Sequence, residues 1–175
     1  MRSFSSRSTL LAAAFIGSAA FAQTPAATTD AAPVMAAEMP VYDTALAPGW
    51  QNWSWAKTEL SVELSGSARK PIKVEAGPWQ ALYLHHDAFS TTGLRKLHLL
   101  IQGSSPEGLV RIFALADGKP IGEGYTVKVS NTGWKLVEQP LATLGAEDKL
   151  IDGIWVQNAT AADLPKIYVT EIKLQ

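Results

Sequence analysis

Ala81-Leu82-Tyr83-Leu84-His85-His86 alternates leucine with ring-bearing side chains. In an extended chain successive side chains point to opposite faces, so Leu82 and Leu84 share one side and Tyr83 and His85 the other. A repeat of two residues rather than 3.6 marks a strand. The same repeat runs outward from this stretch in both directions. Upstream, Leu60, Val62 and Leu64 alternate with Glu59, Ser61 and Glu63, which predicts a strand with one wet face. Ser65-Gly66-Ser67-Ala68 turns the chain, and Ile72 and Val74 begin the next strand. Downstream, Leu97, Leu99 and Ile101 alternate with His98, Leu100 and Gln102, so both faces there are expected to be at least partly covered. Residues 109–115 follow, then the turn Ala116-Asp117-Gly118-Lys119. Tyr125–Val129 and residues 134–137 flank Ser130-Asn131-Thr132-Gly133, a hairpin signal, and residues 151–158 and 167–174 complete the strands.

The single helical candidate in this region is short, residues 141–144, stopped by Gly145. No amphipathic helix separates the strands, which excludes an α/β architecture. Short strands with regular turns indicate an all-β sandwich or barrel. Residues 41–175 suffice for a sandwich of about eight to ten strands.

Composition narrows the function. Fifteen Lys and Arg face sixteen Asp and Glu, a formal charge of −1, which argues against nucleic acid, since that partner needs a basic face to displace counterions from its phosphates. With no cysteine there is no disulfide, no thiolate nucleophile and no Cys-ligated metal.

The first 40 of the 175 residues read differently. Arg2 and Arg7 precede an apolar run over 9–20 that is too short to cross a bilayer, and Ala20-Phe21-Ala22 offers a small-x-small cleavage site. Residues 1–22 are therefore expected to be an export signal and the mature chain secreted, to the periplasm or beyond, with no membrane span. Residues 23–40 are rich in Ala, Thr and Pro and are expected to form a linker.

The aromatic residues are the most informative about function. Trp53 and Trp55 flank Ser54 and share a side in an extended chain; Trp155 and Gln157 oppose Ile154 and Val156. Several strands thus set a ring together with His, Gln or Asn on the face that aliphatic residues do not fill. Flat rings stack on the C–H patches of pyranoses, while amides and imidazoles bond their hydroxyls. The competing reading of each Trp is core packing, which Trp50 and Trp134 are expected to serve. Trp53, Trp55, Tyr83 and Trp155 are the candidate stacking residues, and His85, Gln102 and Gln157 the candidate hydrogen-bonding ones.

These residues carry a resemblance. Val41-Tyr42-Asp43 and Gly49-Trp50-Gln51-Asn52-Trp53-Ser54-Trp55 resemble the opening of bacterial secreted jelly-roll carbohydrate-binding modules of the galactose-binding-like type. Gly133-Trp134-Lys135-Leu136-Val137-Glu138-Gln139-Pro140-Leu141 with Leu144-Gly145, Ile151-Asp152-Gly153-Ile154-Trp155-Val156-Gln157 and Ile167-Tyr168-Val169 are similar to later parts of such modules. The resemblance implies a jelly-roll β-sandwich of two antiparallel sheets that binds polysaccharide or oligosaccharide on one sheet face without catalysis, alone or beside a partner glycosidase. It also implies a structural calcium near Asp43 and Glu171, although Thr170 stands where relatives carry an Asp.

Catalysis has less support. A glycosidase needs two carboxylates about 5–10 Å apart in a cleft. Glu59 and Glu63 alternate as a solvated face, and Glu75, Glu107, Glu123 and Glu138 read as surface charge. There is no Gly-x-Ser-x-Gly nucleophile motif. His85-His86-Asp87 cannot readily chelate one ion, because adjacent strand residues face opposite ways. The alternatives to sugar binding are a protein–protein interaction domain and a small glycoside hydrolase.

Overall fold

The computed structural model describes residues 37–175. The expected export signal and the expected linker as far as residue 36 lie outside the described residues. Numbered in chain order, one sheet contains β1 (Met39–Tyr42), β3 (Lys57–Glu59), β4 (Ile72–Ala76), β6 (Lys96–Gly103), β10 (Lys135–Pro140) and β12 (Leu164–Leu174). The other contains β2 (Gln51–Asn52), β5 (Ala81–Ser90), β7 (Gly108–Ala116), β8 (Lys119–Pro120), β9 (Tyr125–Val129) and β11 (Leu150–Asn158). The first sheet runs β10-β6-β12-β4-β3 with β1 also on β12; the second runs β2-β5-β11-β7-β8 with β9 also on β7. Every pairing is antiparallel. This is the all-β jelly-roll sandwich of two antiparallel sheets that the two-residue repeat and the resemblance led us to expect. No helix among the described residues is long and apolar enough to cross a membrane.

The aliphatic half of each alternation forms the core. Leu82 and Leu84 of β5, Ile154 and Val156 of β11 and Val110 and Ile112 of β7 meet Leu97, Leu99 and Ile101 of β6 and Ile167 and Val169 of β12 in one buried cluster. Each such side chain contributes about 1.5–3 kcal/mol on burial, which fixes the register, because a one-residue slip would put the whole set in water. The register also fixes what the second sheet turns outward. Trp155 lies between Tyr83 and Phe113, and Gln157 between Ala81 and Arg111, while Ile154 sits between Leu84 and Ala114 on the inner side.

Asp117 and Gly118 both have positive φ (51° and 67°), the two-residue turn that an Asp-Gly pair favours between β7 and β8. Leu60 to Leu64 does not form the expected strand. β3 ends at Glu59, and Ser61 takes φ 57°, which stops the ladder even though exposed and half-buried residues still alternate. The stretch 130–133 is not a hairpin turn, since β9 pairs with β7 and β10 with β6 in the opposite sheet. Its Gly and Asn suit a crossing between layers as well as a tight turn. Residues 141–145 form successive turns rather than a helix, with Gly145 at φ 70°.

Candidate functional site

The outer face of the second sheet gathers the rings. Gln51 and Asn52 pair with β5 for only two residues, after which the chain leaves regular geometry. It stays strapped to the β5 edge. Trp53 N–H donates to Tyr83 O (2.9 Å), Tyr83 N–H donates to Ser54 Oγ (2.9 Å), and Ala56 N–H donates to Ala81 O (3.1 Å). Ser54 is thus consumed by the strand edge, which leaves Trp53 and Trp55 to project over the sheet. Trp53 Nε1 donates to Gln51 Oε1 (2.8 Å), which fixes the indole's orientation.

Trp53 stacks on His85 with centroids 3.6 Å apart and planes inclined by 22°, and meets Tyr83 edge-on at 5.9 Å. Tyr83 in turn meets Trp155 at 5.9 Å, and Trp155 meets Phe113 at 6.2 Å and Trp55 at 4.8 Å, each close to perpendicular. Edge-to-face pairs of this kind are worth about 0.5–1.5 kcal/mol each beyond their buried area. Trp53 and Trp55 remain 52% and 42% exposed, whereas Tyr83 is 7% exposed and Trp155 half-buried. The candidate stacking residues therefore divide into two layers: Trp53 and Trp55 stand in solvent, and Tyr83 and Trp155 form the floor beneath them. Gly153, next to Tyr83 on β11, is required by that floor, since a Cβ there would come within 2.6 Å of the tyrosine ring.

The polar candidates are placed less uniformly. His85 lies beneath Trp53 with Nδ1 3.1 Å from the Tyr83 hydroxyl. Burial, with the Asp152 charge second, raises the Tyr83 pKa above its ordinary value of 10.0, so the phenol stays protonated at neutral pH and can both donate and accept. Gln157 is on the ringed face, but its amide donates to the carbonyl of Trp79 (2.9 Å), so it steadies a loop as well as lining the face. Gln102 is not there. It lies on β6 of the first sheet, opposite Tyr168 of β12, a whole layer away. Alternation identifies the non-aliphatic side of a strand, but not which sheet that strand joins.

Two site residues escaped the sequence reading. Trp79 is 55% exposed and next to the cluster, with its carbonyl accepting from Trp55 Nε1 (3.4 Å) and from Gln157. Its loop position, at φ 61°, has no strand parity from which a face could be inferred. Phe113 did carry the signal, since it shares parity with Arg111 and opposes Ile112 and Ala114.

The expected calcium does not suit the residues present. The Glu171 carboxylate accepts from Arg69 Nε at 2.7 Å, and the Asp43 carbonyl accepts from the Thr170 hydroxyl at 2.8 Å. A guanidinium thus competes for the Glu171 carboxylate, and the Asp43 and Glu171 side chains by themselves fall short of the six to eight oxygens calcium takes. Among the described residues no three His, Cys, Asp or Glu side chains converge as metal ligands. His85 and His86 face opposite ways, His86 packing on Trp50 and Phe89 at 5.2 and 5.3 Å.

No family model matches the sequence, and no curated protein matches it. Among solved structures the chain is similar to family 29 carbohydrate-binding modules. A single-site variant of one module superposes with a TM-score of 0.59 at 17% identity, covering 80% of this chain and 92% of that one. A variant complexed with cellulohexaose gives 0.59 at 19% identity, covering 81% and 92%. A module from Piromyces equi gives 0.55 at 20% identity, covering 79% and 89%. At such identities the likeness establishes the fold, a jelly-roll shared with carbohydrate-binding modules. What this chain binds rests on its own residues.

Proposed function

We propose that the protein is a secreted, non-catalytic module that binds polysaccharide on the outer face of its second sheet. The observation that carries this reading is the pair of exposed indoles, Trp53 and Trp55, packed edge-on over a Tyr83–Trp155 floor. A ring covering roughly 100 Å² of sugar contributes about 2–3 kcal/mol gross at 25 cal/mol/Å². Two or three rings, less several kcal/mol lost on association, correspond to an affinity of micromolar to millimolar order. That range suits a polymer met at many points along its length. His85 and Gln157 supply hydrogen bonds at the edges, and Arg111, in register with Gln157, adds a donor. The carboxylates of Glu59, Glu63, Glu75 and Glu138 pair with lysines on exposed surface, which removes these four, though not Glu107 or Glu123, as catalytic candidates. Export and service beside a glycosidase complete the proposal.

The test is a pull-down on insoluble glycans and affinity electrophoresis in soluble ones. Replacing both Trp53 and Trp55 by Ala should reduce retention about a hundredfold with unchanged circular dichroism. Retention equal to wild type would overturn the assignment of this face. Binding to a protein partner that free oligosaccharide fails to displace would favour the interaction-domain reading instead.

A further inference from the structure

A groove of about 800 Å³ lies at one end of the sandwich, where β7, β10 and β12 begin and β9 ends. It shares no lining residue with the ringed face described above. We propose that this groove is a second binding site and that it takes a neutral oligosaccharide; the inference rests on the glycan-binding function proposed above.

Its size falls within the range of about 300–1,000 Å³ usual for small-ligand sites. One wall is Trp134, expected from the sequence to serve packing but only half-buried. The Arg69 guanidinium lies 5.7 Å from the indole centroid and is itself held by Glu171 at 2.7 Å, so the ring is braced rather than loose. A fixed indole is a stacking surface obtained at little cost in ordering.

The charges around the ring select the ligand. Lys128 and Lys135 face the groove together with Glu107 and Asp163, and among the described residues none of the four enters an ion pair. Lys135 Nζ donates to the Lys128 carbonyl at 3.1 Å, and the Ser130 and Thr132 hydroxyls lie 2.8 Å apart. Two ammoniums against two carboxylates leave a formally neutral lining rich in both donors and acceptors. A polyanion would meet the carboxylates and a cation the ammoniums. Sugar hydroxyls both donate and accept, and the C–H face of a pyranose matches the indole.

The experiment is a titration of the ¹⁵N-labelled protein with cellohexaose, mannohexaose and xylohexaose, followed by two-dimensional NMR. Amides of residues 130–135 and the Trp134 indole N–H should shift saturably in wild type and equally in the Trp53→Ala/Trp55→Ala variant. Trp134→Ala should weaken the groove response about tenfold. If that variant loses spectral dispersion, Lys128→Glu, an exposed change that unbalances the lining, should weaken the same response about threefold. Groove resonances that stay fixed while those of Trp55 and Tyr83 move would overturn the groove and leave the sheet-face function standing. Resonances that stay fixed in both regions would overturn both.

Discussion

The outer face of the first sheet carries ion pairs around an exposed Leu136 that pairs with Leu100, and that of the second is a pavement of rings. On the first, Lys73 lies between Glu59 and Glu75, Lys96 and His98 meet Glu138 at 2.6 and 3.4 Å, and Lys173 meets Glu38 at 2.8 Å. On the second, Trp53, Trp55 and Trp79 keep between 42% and 55% of their surface in water. Exposed ion pairs contribute little to stability, and their main effect is to keep a face wetted. Exposed indoles forgo burial that the core could have supplied. Neighbouring indoles left bare on one face, with the ion pairs on the other, are the asymmetry that the proposed binding face requires.

The strongest way to break the contrast is at Trp155, where the ringed face joins the body of the sheet. Trp155→Ala removes the ring that touches Tyr83, Phe113 and Trp55 at once. It should cost about 3 kcal/mol of stability in urea unfolding and weaken glycan retention by more than about tenfold. Trp155→Phe, which keeps a ring in the floor, should restore most of the stability and only part of the binding. Unchanged retention by a folded Trp155→Ala variant would show that the floor does not serve the ligand.

How legible each face was follows from the same geometry. The core of the long strands was legible, because Leu82 and Leu84, Ile154 and Val156, and Leu97, Leu99 and Ile101 state their side in a two-residue code, whereas core residues outside such runs, such as Tyr42, Leu94 and Ala146, were not. Tyr83, His85, Trp155 and Gln157 were read by the same parity. Pairing between strands was not legible: Gln102 shows the parity of the ringed residues on a strand of the other sheet, and 130–133 resembles a hairpin turn although it crosses between layers. These depend on contacts distant in sequence, which no local repeat encodes. Irregular backbone was equally silent: at Ser61 a positive φ ends the ladder although the alternation runs on, and at Trp79 it falls in a loop that has no strand parity.

Trp79 offers a finer cut. A bulky residue at φ 61° is strained, and glycine occupies that region without a Cβ penalty. Trp79→Gly should leave stability within about 1 kcal/mol of wild type, because strain relief offsets the lost contacts. If the exposed indole extends the ringed face, the variant should also weaken binding to long chains about fivefold while sparing short oligosaccharides. Equal weakening for short and long ligands would mean that Trp79 acts by steadying Gln157 and Trp55 rather than by touching sugar.

The smallest effect belongs to the charged face, and its sign follows from the ion pairs. Lys57, mainly through a hydrogen bond, holds the Glu75 carboxyl below its ordinary value of 4.5; Lys96 and then His98 do the same for Glu138. A carboxyl whose folded pKa is depressed adds stability above its unfolded pKa and loses it as pH falls through the folded one. Acidifying from about pH 6 to about pH 3 should therefore lower the urea midpoint, and Glu75→Gln with Glu138→Gln should flatten part of that decline. Both groups are solvated, so the change in midpoint should be slight. Glycan affinity at pH 6 should match wild type in this variant, since the pairs lie on the opposite layer from the indoles. A loss of affinity there would mean that the two outer faces are coupled through the core, and that the division between a wetted side and a docking side does not hold.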